Sequence, residues 1–427
     1  MSQFVKDLSV KTAGILPFIE EVYKDLHQNP ELPMQEFRTA GIVAEIMRKE
    51  GFETVEKIGG TGVVGILRNG NGPTVMLRAD MDALPMQEET GLSYASQAKS
   101  VSKQGETVPV AHGCGHDMHT SWLLGAAKVL AAGREYWQGT VIALFQPAEE
   151  TGKGSQLMLA DGLSGLIPKP DIILGQHLLQ FRAGTVAYRA GQILTAGDSW
   201  LVRFFGKGAH GGMPHQGVDP LIMAASAVLR LQTIVSREVS PQAQAVITVG
   251  EFHAGSAENI IPAEAYIKLN VRTTDEKVRA HVLDAIRRVC IAEARASNAP
   301  KDPVFEEINN FPLTVNDEKA TKAIAREFRN HFGELLVQTT PLGASEDFGR
   351  YGKEWQTPYV YWFVGGTDPD VYDKAVKDGT VSHLPGPHSP FWAPVLAPTI
   401  RTGIETMLAA AGVWLEKSIG DDKNEER

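Results

Sequence analysis

Cysteine is nearly missing from this chain: two in 427 residues, at positions 114 and 290. Two thiols cannot make the disulfide framework of a small secreted scaffold. No apolar run approaches the ~20 residues that a membrane-spanning helix needs. There is no basic stripe and no platform of interleaved aromatic and basic residues, and the formal net charge is −10. Nucleic acid and anionic membrane surfaces are therefore poor partners. The opening residues, MSQFVKDLSV, carry acidic and polar side chains where a secretory signal has its apolar region. These absences lead to the expectation of a soluble protein in a reducing, cytoplasmic compartment. What is present fits that reading: 43% hydrophobic and 22% charged residues describe a globular chain. At this length, more than one domain is expected.

Histidine is sparse as well, at 12 in the whole chain, yet three fall in HGCGHDMHT at 112–120. His112, Cys114, His116, Asp117 and His119 are all metal-capable or proton-transferring groups. Taken singly, each is best read as a structural core residue. Five within eight positions point to a site. Gly113 and Gly115 let the backbone turn sharply and bring Cys114 and His116 towards one point. The run SWLLGAAKVLAAG follows, so the cluster should open a helix, where the helix dipole favours a thiolate at Cys114.

Helical apolar spacing covers 4–28 and 36–50, broken by the loop NPELPMQE. The next stretch is β-rich and contains Gly60-x-Gly62-x-x-Gly65, the spacing of a dinucleotide fingerprint. That motif works only when a helix begins within it and presents N–H groups to a pyrophosphate. Here VVGILRNG reads as a strand running into a turn. From 74 onward, PTVMLRA, GTVIALFQ, DIILGQ and PYVYWFVGG read as buried parallel strands of an α/β sheet. Asp80 and Asp82, Glu149 and Glu150, and His177 stand just after three of them. Sites in open α/β sheets form at the carboxyl ends of strands, so these groups should meet at one edge.

The character of the chain changes near residue 190. Strand, helix, two strands, helix and strand follow up to about 307, a βαββαβ order suited to a small sheet with helices on one face. Its first helix should begin with Asp219 as N-cap and Pro220 at the first helical position. Helix 317–332, the GASEDF loop, a strand at 358–364, the loop SHLPGPHSP and helix 396–417 return to the first domain. The tail GDDKNEER should be solvated.

Adjacent glutamates on an extended backbone point in different directions. One of Glu149 and Glu150 could bind a metal while the other takes a proton from water that the metal has activated. A surface pair is the common case, but this pair follows a buried-looking strand. His177 gains weight as a ligand only if it shares an edge with Glu150. His388 lies in a proline-rich loop that would hold its ring rigidly, and His383 competes with it on spacing. A mixed cysteine, histidine and carboxylate set suits zinc, manganese or cobalt. His210, in GKGAHGGMPH, could donate to an oxyanion from the inserted segment. Asn259 and Arg272 share that segment, and the planar fork of arginine suits a carboxylate.

The strings LRADMDALPMQEETG, HGCGHDMHT, FQPAEETGKGSQLMLADG, GKGAHGGMPHQGVDPL, ENIIPAEAYIKLNVRT and GASEDF run in order across nearly the whole chain. Together they resemble the metal-dependent amidohydrolases that include hippurate hydrolase, N-acyl-amino-acid deacylases and plant auxin-conjugate hydrolases, relatives of carboxypeptidase G and aminoacylase. The resemblance implies an α/β catalytic domain (1–189 and 308–427) with a mostly parallel central sheet flanked by helices. An α+β, ferredoxin-like lid or dimerisation domain (190–307) would interrupt it.

By the same resemblance, Cys114, His116, Glu150, His177 and His388 would hold two divalent ions per subunit, manganese, zinc or cobalt, with Cys114 bridging. Glu149 would be the general base. His210 would be the lid histidine that, in dimeric relatives, reaches the partner's site and polarises the scissile carbonyl. Asn259 and Arg272 would touch substrate, and Asp80 and Asp82 would support the ligands from behind. The implied reaction is hydrolysis of a small N-acyl amino acid to a carboxylate and a free amino acid, by a homodimer or larger homo-oligomer built through the lid. A dipeptidase or carboxypeptidase of the same clan is the close alternative, and an NAD(P)-dependent oxidoreductase the remote one. The chain departs from its relatives in GQHLLQF, after His177, where they often carry a short polar run.

Overall fold

Four apolar runs form the middle of one sheet. Strands Gly139–Gln146, Thr74–Asp80, Ile172–Arg182 and Tyr359–Thr367 lie side by side and parallel in the computed structural model. The model describes residues 3–103 and 105–417, so the tail GDDKNEER lies outside the described residues. Strands Gly62–Asn69 and Glu53–Ile58 extend one edge antiparallel, and Val186–Tyr188 and Leu336–Gln338 complete the other. The central runs are buried on both faces, which is why they read as unbroken apolar stretches rather than alternating ones. Helices Gln3–Gln28, His116–Ala132 and Leu396–Leu415 pack on one another, the latter two also against this sheet. The core they share includes Trp122, Leu77, Phe145, Trp362 and Ile404, all at or near zero exposure. Each buried Leu or Ile contributes about 1.5–3 kcal/mol to holding the layers together.

The chain divides into two compact units. One comprises Met1–Ile193, Val315–Thr340 and Asp347–Arg427; the other Leu194–Thr314 and Pro341–Glu346. In the second unit the antiparallel strands Ala245–Ala254, Glu264–Thr273, Ala196–Phe205 and Val304–Phe311 lie in that spatial order. Along Glu264–Thr273 the residues alternate, with Ala265, Ile267, Leu269 and Val271 buried against helices Pro220–Thr233 and Glu276–Ala296. Asp219 accepts the N–H of Leu221 at 2.9 Å and so caps the first of these helices, with Pro220 at its first position. Asp275 caps the second through Lys277 and Val278.

The glycine fingerprint has a packing explanation. Gly62 and Gly65 lie inside strand Gly62–Asn69, and another strand follows. A Cβ on Gly65 would fall 2.3 Å from the Met47 side chain, so this glycine lets helix Phe37–Lys49 approach the sheet. No helix starts in the motif to bind a pyrophosphate, and the oxidoreductase reading is set aside.

Candidate metal centre

Five of the residues singled out in the first unit, Cys114, His116, Glu150, His177 and His388, converge. Gly115, at φ +83°, is the N-cap of helix His116–Ala132, which places Cys114 just before the helix and His116 at its first position. Cys114 Sγ lies 3.5 Å from His177 Nε2. The ligand atoms of Cys114, His116 and His177 are all within 4.8 Å of one another, and so are those of Cys114, Glu150 and His388. His388 Nε2 stands 3.3 Å from Glu150 Oε1. The His388 main chain, in the left-handed region at φ +70°, donates its N–H to the Gly113 carbonyl at 2.7 Å and ties the proline-rich loop to the HGCG turn. His383 belongs to none of the ligand clusters among the described residues.

Hydrogen bonds to the other ring nitrogen decide which lone pairs face the cluster. His116 Nδ1 lies 2.8 Å from the Asp82 carbonyl, and His177 Nδ1 lies 2.6 Å from the Leu178 carbonyl. A carbonyl only accepts, so each Nδ1 carries a proton and Nε2 is the nitrogen left to face the cluster. His116 Nε2 is buried with no hydrogen-bond partner. Around it stand Asp80 Oδ2 at 3.8 Å, Glu150 Oε1 at 3.9 Å and Glu149 Oε2 at 4.0 Å. Burial alone would lower the His116 pKa, yet Asp80, Asp82 and Glu150 raise it to about 10. Such a field demands positive charge at this point. Imidazole, thiol and carboxylate donors around an unpartnered nitrogen fit a divalent cation.

The structure also corrects local expectations. Cys114 is pushed well above its ordinary range, by burial first and then by Glu150, Glu149 and Asp80, so the helix start does not by itself give a thiolate. His177 is not beyond its strand but inside it, because Ile172–Arg182 continues and pairs with the strand that carries Gly365. Glu149 and Glu150 lie in a short 3-10 turn, Glu149–Thr151, rather than on extended chain. Three successive amides fix that turn. Asp82 accepts the N–H groups of Glu149 and Glu150, one on each oxygen, both at 3.0 Å, and Glu36 Oε1 accepts that of Ala148 at 2.9 Å.

Asp80 is held from two sides. His119 Nε2 accepts the Leu178 N–H at 2.8 Å, so its Nδ1 must donate to Asp80 Oδ1, 2.6 Å away. Arg78 takes Asp80 Oδ2 and, through Nη2, Asp347 Oδ1 at 3.1 Å. Both ring nitrogens of His119 are thus spent on Asp80 and the main chain beside His177. No motif in the sequence assigns Arg78 or Asp347 a role. The period-2 alternation of LRAD does place Arg78 on the face of Asp80, a usable signal; nothing comparable marks Asp347.

The remaining candidates lie in the second unit. His210 ends the short strand Ala209–His210, which pairs with Ile260–Ile261, and Gly211 N–H donates to the Asn259 carbonyl at 2.8 Å. Both His210 and Asn259 are exposed. Arg272 Nε donates to Asn270 Oδ1 at 2.9 Å and its Nη1 to Ser345 Oγ. Gly197 makes room for it, since a Cβ there would meet Nη1 at 2.7 Å. No carboxylate pairs with Arg272 among the described residues, and it borders a cavity of about 480 Å³ with Thr195, Val246 and Thr273.

A mostly parallel α/β sheet carrying a cysteine, histidine and glutamate cluster at its edge defines a class of metal-dependent hydrolases, and comparison with known proteins agrees. Residues 76–380 match peptidase family M20/M25/M40, and the chain belongs to that family. It is 38% identical over 349 residues to the hippurate hydrolase of Campylobacter jejuni, covering 80% of this chain and 87% of that one. It is 36% identical over 352 residues to the N-acetyl-L-cysteine deacetylase of Bacillus subtilis, covering 82% and 80%. The structure of the Bacillus subtilis YxeP protein, a dinuclear metal binding peptidase of the M20 family, superposes with a TM-score of 0.72 at 26% identity, covering 94% of this chain and 99% of that one. The protein is an amidohydrolase. Among the described residues no helix is long and apolar enough to cross a membrane.

Proposed function

We propose that this enzyme hydrolyses the amide bond of N-acyl amino acids, hippurate-like or N-acetylated, to a carboxylate and a free amino acid. Cys114, His116, Glu150, His177 and His388 would hold two divalent cations, with Cys114 common to both sets. Bound there, the cations would polarise the scissile carbonyl and make water acidic enough to lose a proton near neutral pH. Glu149, which adjoins a ligand and is held by Asp82, receives that proton on its carboxylate and delivers it to the leaving nitrogen. Asp80 and Asp82 orient this set. His210 is assigned as donor to the oxyanion that develops on the carbonyl, and Asn259 and Arg272 as substrate contacts. A half-buried guanidinium beside a cavity, with no carboxylate in ion-pair contact among the described residues, suits the free carboxylate of an amino acid.

The observation that carries this reading is that Glu149 Oε2 and Glu150 Oε1 both stand about 4 Å from the same unpartnered nitrogen, His116 Nε2. The names of the two relatives, a hippurate hydrolase and an acetyl-cysteine deacetylase, support the substrate class. The test is purified protein reconstituted with manganese, zinc or cobalt and offered hippurate, N-acetyl amino acids, indole-acetyl conjugates and dipeptides. Turnover of an acyl amino acid is expected, with Glu149→Ala lowering kcat by ~10³-fold or more while metal content holds. Cleavage of dipeptides alone would favour the peptidase alternative, and an active Glu149→Ala enzyme would remove the base assignment.

A further inference from the structure

Glu36 is fully buried and sits at the N-cap of helix Phe37–Lys49, yet its side chain does not cap that helix. Capping falls to Glu31, whose two oxygens accept the N–H groups of Arg38 and Thr39 at 2.9 and 2.8 Å. The Glu36 carboxylate turns the other way. Its Oε2 accepts the Thr61 hydroxyl at 2.6 Å, and its Oε1 accepts the N–H groups of Met34 at 3.0 Å and Ala148 at 2.9 Å.

Ala148 is the residue through which the chain leaves strand Gly139–Gln146 and enters the turn of the two glutamates. It lies in the left-handed region, φ +49° and ψ +40°, which costs a non-glycine residue about 1–2 kcal/mol. Such a conformation persists only when its surroundings impose it. Here the imposition comes from both ends: Glu36 grips the Ala148 N–H, and its carbonyl accepts from Gly154 N–H and Thr151 Oγ1. Burial first, and then the charge of Asp82, pushes the Glu36 carboxyl up to about 7, so an ionised carboxylate is a costly occupant of this position.

We propose that Glu36 is a positioning residue for the reaction: it clamps the main chain at Ala148 and thereby sets the directions in which Glu149 and Glu150 leave the strand. The inference rests on the roles assigned above to those two glutamates. It also gives the NPELPMQE loop and the glycine stretch a shared task, since Thr61 locks the far oxygen of the carboxylate.

The test compares Glu36→Gln, Glu36→Asp, Glu36→Ala and Glu31→Ala in the full-length, metal-reconstituted enzyme, with metal retention on dialysis and thermal midpoint measured beside kcat and KM. Glutamine keeps a carbonyl oxygen at the length needed to accept the Ala148 N–H, and the Thr61 hydroxyl can rotate to meet its NH₂. Aspartate keeps the charge but withdraws it by one methylene. The expected order of kcat is Gln above Asp above Ala, with Ala down by ~10²-fold, KM within a few-fold of wild type, and metal retention ~10-fold weaker. Glu31→Ala is expected to lower the thermal midpoint with kcat unchanged. Wild-type kcat and metal retention in Glu36→Asp and Glu36→Ala would overturn the proposal. So would parallel losses in the Glu31 and Glu36 variants, which would mark a purely structural residue. If Glu36→Ala fails to fold, the Gln against Asp comparison decides alone. An inactive Glu149→Ala enzyme beside a fully active Glu36→Asp enzyme would sink this inference and spare the base assignment; an active Glu149→Ala enzyme would do the reverse.

Discussion

His116 donates its Nδ1 proton to the main-chain carbonyl of Asp82 at 2.8 Å, and that one bond decides which nitrogen of the ring faces the cluster. The same aspartate holds the amides of Glu149 and Glu150 with its carboxylate. A single residue just past strand Thr74–Asp80 thus aligns an imidazole from a helix start and two carboxylates from the turn that follows the neighbouring strand.

Asp82→Ala separates these two tasks. His116 keeps its main-chain acceptor and loses only the longer contact from Nδ1 to Asp82 Oδ1 at 3.2 Å, while the turn of the glutamates loses both carboxylate contacts. Affinity for the divalent cation is expected to fall ~10- to 100-fold, with a drop in kcat at saturating metal. Equilibrium dialysis with elemental analysis and steady-state kinetics would measure both. Unchanged metal affinity would show that Asp82 does not orient the ligand set.

Cys114 should couple metal binding to proton release. Burial, then Glu150, Glu149 and Asp80, hold its thiol protonated at neutral pH, whereas a cation binds the thiolate. Chelator-treated protein should therefore bind zinc or manganese more tightly as pH rises from about 6 to 8. Calorimetric titration in buffers of different ionisation enthalpy should show protons released on binding, with fewer released by Cys114→Ser.

A second buried network makes stability depend on pH. His27 Nδ1 lies 2.6 Å from Asp117 Oδ2 and its Nε2 lies 3.1 Å from Glu88 Oε1. Burial opposes the charge, but the two carboxylates outweigh it and raise His27 to about 10. A histidine whose pKa is raised on folding stabilises fully below its unfolded pKa of about 6.5. That contribution is lost as pH rises through 10, at about 1.4 kcal/mol per pH unit in between. Denaturant unfolding from pH 6 to 9.5 should show wild type losing its advantage over His27→Gln across this window. A constant difference would count against a charged His27.

Gly403 tests the helix packing over the sheet. Alanine is ordinarily favoured over glycine in a helix by about 1 kcal/mol. Here a Cβ would fall 2.1–2.3 Å from the buried Trp122 indole, whose Nε1 donates to the Thr399 carbonyl at 3.0 Å. The clash is expected to win, leaving Gly403→Ala destabilised by about 1–3 kcal/mol in denaturant unfolding.

The central sheet, its flanking helices and the family were legible in the residues themselves. A strand buried on both faces must be apolar throughout, and a helix over a sheet must repeat its apolar face, so local pattern carries that information. The HGCGHD cluster announced itself because it is short. Glu150, His177 and His388 could be named as its partners from the sequence, but the contacts that orient them could not. His177 lies inside a strand rather than after one, and Arg78, His119 and Asp347 matter only because strands distant in sequence lie side by side. Glu36, in a loop more than 100 residues before Ala148, reads from sequence as an ordinary loop acid. Residue types and spacing fixed which side chains can bind a cation or carry a proton; which nitrogen, which oxygen and which rotation each presents was settled by hydrogen bonds that exist only once the sheet has brought those strand ends together.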